Sequence, residues 1–281
     1  MIEDRTLHDL LLGGLGIELP IRGGYGGCRE DPIVITAPDA ESVAMARLLT
    51  LHALGRGRGI FWRTVAQTLL GDQWPGIEQF KIETVRLTET HMISRTENFY
   101  FDVSAAPAAR RWRSPPVIAH HDVSGLMFPF EIGWLHFDNA EHHEADSPGL
   151  GHSLSYKAPG IVCRLRVYDR GLASVPDDVA TSVVQDEFEE AAYEIAAHRP
   201  DFHALVDQPS PAQDCLERYY RVGEAGRQAS LLWLTTSRAR FIKARVTWVR
   251  DDFIDEAAMT FIANVLAHIK SLGPLPTMCR H

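Results

Sequence analysis

The chain has 281 residues, of which 45% are hydrophobic and 23% charged, and its formal net charge is −9. That is enough apolar material for one large core or two smaller ones, so disorder does not dominate. The negative balance disfavours whole-molecule binding to nucleic acid or anionic lipid, and no apolar run reaches the ~18 residues that a membrane span needs.

In the first twenty residues Asp4 and Asp9 precede a short apolar patch, Leu10–Leu12, with no Lys/Arg-rich segment ahead of it. That is a poor secretory signal, and the expectation is a soluble, cytoplasmic protein. Cys28, Cys163, Cys215 and Cys279 lie far apart and form no C-x-x-C pair. They read as thiols in a reducing compartment rather than as a disulfide framework or zinc ribbon.

After a glycine-rich stretch at 13–27, Pro32–Thr36 reads as a short buried strand. Pro38 and Asp39 open a helix expected to run to about Leu54, with apolar residues around most of its circumference. A second helix is expected over Ile60–Leu70. Two strands follow, over Phe80–Thr88, where the apolar phase slips as at a β-bulge, and over Glu97–Val103. Residues 104–119, rich in Ala, Pro and Arg, are the linker candidate. Beyond them Leu126, Phe128, Phe130, Ile132 and Trp134 share one parity, then Leu135 and Phe137 take the other.

The C-terminal pattern is clearer. Ile161, Cys163, Leu165 and Val167 alternate with Arg164, Arg166 and Tyr168 as a strand with one wet face. A helix over 177–197 carries Val184, Phe188, Ala191 and Ile195 on one stripe. Leu216–Val222, Ser230–Thr236 and Phe241–Val249 form a meander, with Ile242, Ala244, Val246 and Trp248 facing in and Lys243 and Arg245 facing out. A last helix over 255–272 presents Phe261 in the middle of its apolar stripe. The predicted fold is α+β: antiparallel sheets with helices packed on one face, in two subdomains. Residues 1–119 are the first subdomain, 120–160 a His/acid-rich connecting region with a strand, and 161–281 a β-α-β-β-β-α subdomain.

The window His120–His152 holds six of the thirteen histidines and six acids, with no Lys or Arg. Imidazole and carboxylate together ligate divalent transition metals. On a strand over Trp134–Asp138, His136 and Asp138 share a face, and His142, His143 or Glu144 can add a third ligand. A hydrated polar loop explains the same residues. No H-E-x-x-H motif is present, and Gly151-His152-Ser153-Leu154-Ser155 is not a G-x-S-x-G elbow.

A second candidate is Gly55-Arg56-Gly57-Arg58-Gly59, read as a loop before a helix, where Arg56 and Arg58 beside free N–H groups can hold an anion. It lacks the GK[ST] of a P-loop. Arg110-Arg111-Trp112-Arg113 is a weaker basic–aromatic cluster, and nucleic acid is not the expected partner. With no complete catalytic motif, and with recognisable elements along the whole chain, the expectation is a non-catalytic binding or assembly module with a protein partner or a second copy. The alternative is a metal-dependent hydrolase using the 120–152 window.

Overall fold

The structure, a computed structural model, describes residues 7–16, 18–70, 76–105, 117–121, 125–205 and 214–273. The chain divides into two compact units, Met1–Pro116 and Val117–His281. The expectation of α+β with helices on one sheet face is corrected. The architecture is sheet-dominated, 42% strand against 27% helix, with two large sheets and four helices among the described residues.

In the first unit the order is α1 (Leu7–Leu15), β1 (Ile21–Gly23), β2 (Ile33–Ile35), α2 (Ala40–Arg58), β3 (Phe61–Leu70), β4 (Ile77–Leu87) and β5 (Met92–Asp102). The sheet order is β1-β2-β5-β4-β3; β2 and β5 run parallel and the other neighbours antiparallel. Asp39 caps α2, its side chain accepting from Ser42 N at 2.8 Å. Val43, Ala46 and Leu51 of α2 join Ile33, Phe80 and Phe101 in one buried cluster, so the helix packs on one face of this sheet.

Two sequence expectations fail here, for one local reason. α2 does not stop near Leu54 but runs through Gly55 to Arg58. A Cβ on Gly55 would meet Trp62 Cδ1 at 2.3 Å, so this glycine permits close packing inside the helix. The stop is Gly59, left-handed at φ 60°, whose N–H bonds back to the last turn. Ile60–Leu70, expected as helix, is therefore strand β3, paired along β4 from Phe61↔Val85 to Leu70↔Ile77. Its register shifts between Thr64 and Ala66, and that bulge hides the period-two signal of a strand already rich in Thr, Val and aromatic residues.

In the second unit β6 (Val117–His121) pairs with β7 (Leu126–Pro129). β8 (Glu131–Ile132), β9 (Leu135–His142), β10 (His152–Ala158), β11 (Ile161–Tyr168), β12 (Phe202–Ala204), β13 (Leu216–Val222), β14 (Gln228–Ser237) and β15 (Arg240–Val249) form an eight-stranded antiparallel sheet. Its order is β12-β13-β14-β15-β11-β10-β9-β8, so β11 sits beside β15 although α3 (Ser182–His198) and three strands separate them in sequence. β9 and β10 build residues 135–142 and 152–158 into this sheet.

Ile242, Ala244, Val246 and Trp248 are all buried, as their alternation requires. They lie on the face covered by α4 (Asp252–Ser271), where Phe261 meets Tyr156 at 5.4 Å. The other face carries Tyr168, Leu232, Leu234 and Phe241, which cluster with Val184, Phe188, Ala191 and Ile195 of α3. The two long helices of this unit thus lie on opposite faces of one sheet. An apolar stripe tells that a helix packs, not on which side of a sheet it does so. Among the described residues no helix is long and apolar enough to cross a membrane.

Candidate functional site

The predicted site residues do not converge. Among the described residues no group of three or more His, Cys, Asp or Glu side chains is placed to hold a metal ion. His136 is buried beside Phe130, with Glu131 Oε2 at 3.9 Å from its Nε2. The β9–β10 register passes from Ser155↔Asn139 to Tyr156↔Phe137, which leaves Asp138 as the extra residue of a bulge. The bulge breaks the shared face expected for His136 and Asp138, and Asp138 instead pairs with Lys157 at 2.7 Å.

His142 packs edge-on against His152, ring centroids 4.3 Å apart. Both oxygens of Glu144 are taken by backbone, accepting from Gly149 N at 3.0 Å and Gly151 N at 2.8 Å. Gly151 is required at its position: φ is +58°, and a Cβ would lie 1.9 Å from the Val167 carbonyl oxygen. Glu144 therefore ties a turn onto β11. The side chains of His120 and His121, and all of Asp122 and 110–113, lie outside the described residues.

His143 is 2.9 Å from Ser153 Oγ through Nε2, and Glu141 approaches that same nitrogen at 3.7 Å. A nucleophilic relay needs the acid on Nδ1, opposite the serine, so this trio is not arranged as a Ser–His–acid triad. Arg56 and Arg58 sit in the last turn of α2, where the helix presents carbonyls and a partial negative charge rather than free N–H groups. Arg58 is held by both oxygens of Glu97, at 2.6 and 2.7 Å.

A different site emerges from the large sheet. A groove of about 610 Å³ opens on the α3 face, over β9, β10, β11, β15 and part of α3. Five cations line it: Lys157, Arg164, Arg166, Lys243 and Arg245. Three acids line it as well: Asp138, Glu141 and Glu194. The cations concentrate because Arg164 and Arg245 are direct cross-strand partners, and so are Arg166 and Lys243. Like charges directly opposite destabilise a sheet, yet here two such pairs stand side by side.

Each cation has a distinct environment. Lys157 is neutralised by Asp138, and Arg164 approaches Glu141 at 3.9 Å. Lys243 lies 3.6 Å from the buried carboxylate of Glu187, which also holds Arg170 at 2.5 Å and accepts from Tyr168 Oη. Burial pushes the Lys243 ammonium below its ordinary value, against the pull of Glu187 and Glu194. Burial also lowers the Arg245 guanidinium, and the neighbouring charges of Arg199 and Arg164 lower it further.

Arg166 and Arg245 have no carboxylate at ion-pair distance among the described residues. Arg166 runs along the Tyr168 ring and Arg245 over Phe202. Arg166 Nε is shut off from solvent, with no hydrogen-bond partner among the described residues. Ser153 and Ser155 stand opposite Arg166 and Arg164 on β10, adding hydroxyl groups to the same surface. Val162, Ala191, Ile195 and Leu232 supply an apolar wall. Chemically, the groove can hold a small molecule with a negatively charged end and an organic body.

This groove was half legible in the sequence. Arg164 and Arg166, and likewise Lys243 and Arg245, are visible there as wet-face residues. Nothing local shows that β11 and β15 are neighbours in register, and that pairing makes two ordinary basic faces into one cationic patch.

No protein-family model matches the chain, and no curated protein matches it. Among solved structures, a chain from Novosphingobium aromaticivorans DSM 12444 described as a "putative thioesterase" is similar at 12% identity, over 83% of this chain and 92% of that one. The TM-score of that likeness is 0.16, too low to carry either fold or activity across.

Proposed function

We propose that this protein is a non-catalytic binding module whose ligand is an anion held in the groove between α3 and the eight-stranded sheet. The observation that carries the reading is the pair of like-charge cross-strand contacts, Arg164↔Arg245 and Arg166↔Lys243. Such contacts cost stability in the empty protein, and an anion lying between them turns repulsion into attraction. Low-dielectric walls strengthen the local positive potential despite the molecule's net charge of −9. Three acids of the 120–152 window, Asp138, Glu141 and Glu144, are already engaged by Lys157, Arg164 and backbone N–H groups.

The test compares unfolding midpoints in inorganic phosphate and in chloride at equal ionic strength, for wild type and for Arg166→Gln with Lys243→Gln. A ligand that binds the folded state raises stability by about 2.7 kcal/mol at a hundred times its Kd. Phosphate should raise the wild-type midpoint and leave the double variant nearly unmoved. An equal rise in both proteins marks a general salt effect and rejects the groove as the binding site.

A further inference from the structure

We infer that the ligand of this groove is a small organic dianion, with its two charges answered by Arg166 and Arg245 and its body laid over the exposed Val162 side chain. The inference rests on the anion-binding reading and sharpens it. Among the described residues five cationic and three anionic side chains line the groove, an excess of two positive charges; Glu187, which reaches Lys243 from outside that lining, is shared with Arg170. The cations with near carboxylates are Lys157, Arg164 and Lys243. Among the described residues, those left without one are the two arginines on the diagonal of the four-residue patch, one on each strand. A monoanion would leave one of the two positive charges uncompensated in a half-buried setting, where charge is costly.

The organic body follows from the wall. Val162 is 49% exposed although it projects from the centre strand of the sheet toward the groove, and Leu232, Ala191 and Ile195 line the same space. Leu232, Ala191 and Ile195 are already covered by their neighbours, so the apolar surface that an inorganic ion would leave wet is that of Val162, which an attached hydrocarbon or ring would cover. A phosphate monoester, with its second ionisation near pH 6, and a dicarboxylate present the same double charge at neutral pH. Both satisfy the arginines, and the serines at 153 and 155 stand beside whichever oxyanion is bound.

The experiment is calorimetric titration of the full chain at about pH 8, where a phosphate monoester carries two charges. The probes are phenyl phosphate, succinate and benzoate at one fixed ionic strength. At least one of the two dianions should bind about tenfold or more tightly than benzoate, the margin expected for one added charge-assisted contact. The better dianion names the oxyanion class. Arg166→Gln and Arg245→Gln should each remove that margin, while Arg63→Gln, on the other unit and paired with Glu83, should keep it. Urea midpoints confirm folding, and Arg166→Gln should match or exceed wild type because it removes a like charge opposite Lys243. If benzoate binds as well as either dianion and the groove variants weaken all three, the anion reading stands and the dianion inference falls. If none of the probes binds, both fall. A dianion preference untouched by either arginine variant places the charges elsewhere and overturns the inference.

Discussion

Arg47 on α2 and Glu78 on β4 form an ion pair whose side chains are only 6% and 7% exposed. Burial holds the Arg47 guanidinium down to about 10, and the same cation lies 5.4 Å over the Phe80 ring. The pair joins helix to sheet in the first unit, and each charge is tolerable there because the other is present. Glu78→Gln should cost about 3–5 kcal/mol by leaving Arg47 uncompensated, whereas Arg47→Met with Glu78→Leu should recover most of that loss. Urea denaturation of the three proteins checks this; a double variant no better than Glu78→Gln would show that the pair is not the unit of stability.

Arg58 and Glu97 make the exposed counterpart of that pair. Hydrogen bonds from Arg58 hold the Glu97 carboxyl below its ordinary value of 4.5. A carboxylate depressed in the folded state stabilises the protein above its unfolded pKa and loses that stabilisation as pH falls through the folded one. Because the side chains are 38% and 24% exposed, the pair is worth about 0.2–1 kcal/mol at neutral pH. Glu97→Gln should lower the neutral-pH midpoint slightly and converge with wild type in acid. Parallel curves across that range would remove the pair as a source of acid sensitivity.

Phe261 is fully buried in the middle of α4 against Tyr156. Phe261→Ala should destabilise the second unit by about 3–5 kcal/mol through lost burial and the cavity left behind. The check is the urea midpoint followed by tryptophan fluorescence, since Trp233 and Trp248 are buried in the same sheet. An unchanged midpoint and slope would contradict the packing described for this helix.

The histidine-rich window allows a separate test. Asp138, Glu144 and His143 already hold Lys157, backbone N–H groups and Ser153. A metal ion would have to displace those contacts and deprive the turn at 144–151 of its anchor. Protein purified without chelator should therefore carry substoichiometric transition metal by elemental analysis, and excess chelator should leave its melting temperature unchanged. Stoichiometric metal together with a chelator-sensitive midpoint would restore the hydrolase reading.

Much of the second unit was legible because its signals are local. Strands over 161–168 and 241–249 alternate with period two, and the helices over 182–198 and 252–271 carry stripes spaced for one buried side. Such patterns determine what a segment is and which of its sides is dry. They were lost where register slips, at the β3 bulge near Val65 and at Asp138 in β9, because a single extra residue reverses the sides that follow.

What the sequence determined by itself is a set of amphipathic pieces and their inward faces. Only the tertiary structure decided which pieces are neighbours: that β11 lies against β15, that α3 and α4 cover opposite faces, and that four cations separated by up to 81 positions meet in one groove. The physical reason is that burial of an apolar face is satisfied by any complementary partner. Strand order is settled by the closure of the whole sheet, to which no local window has access.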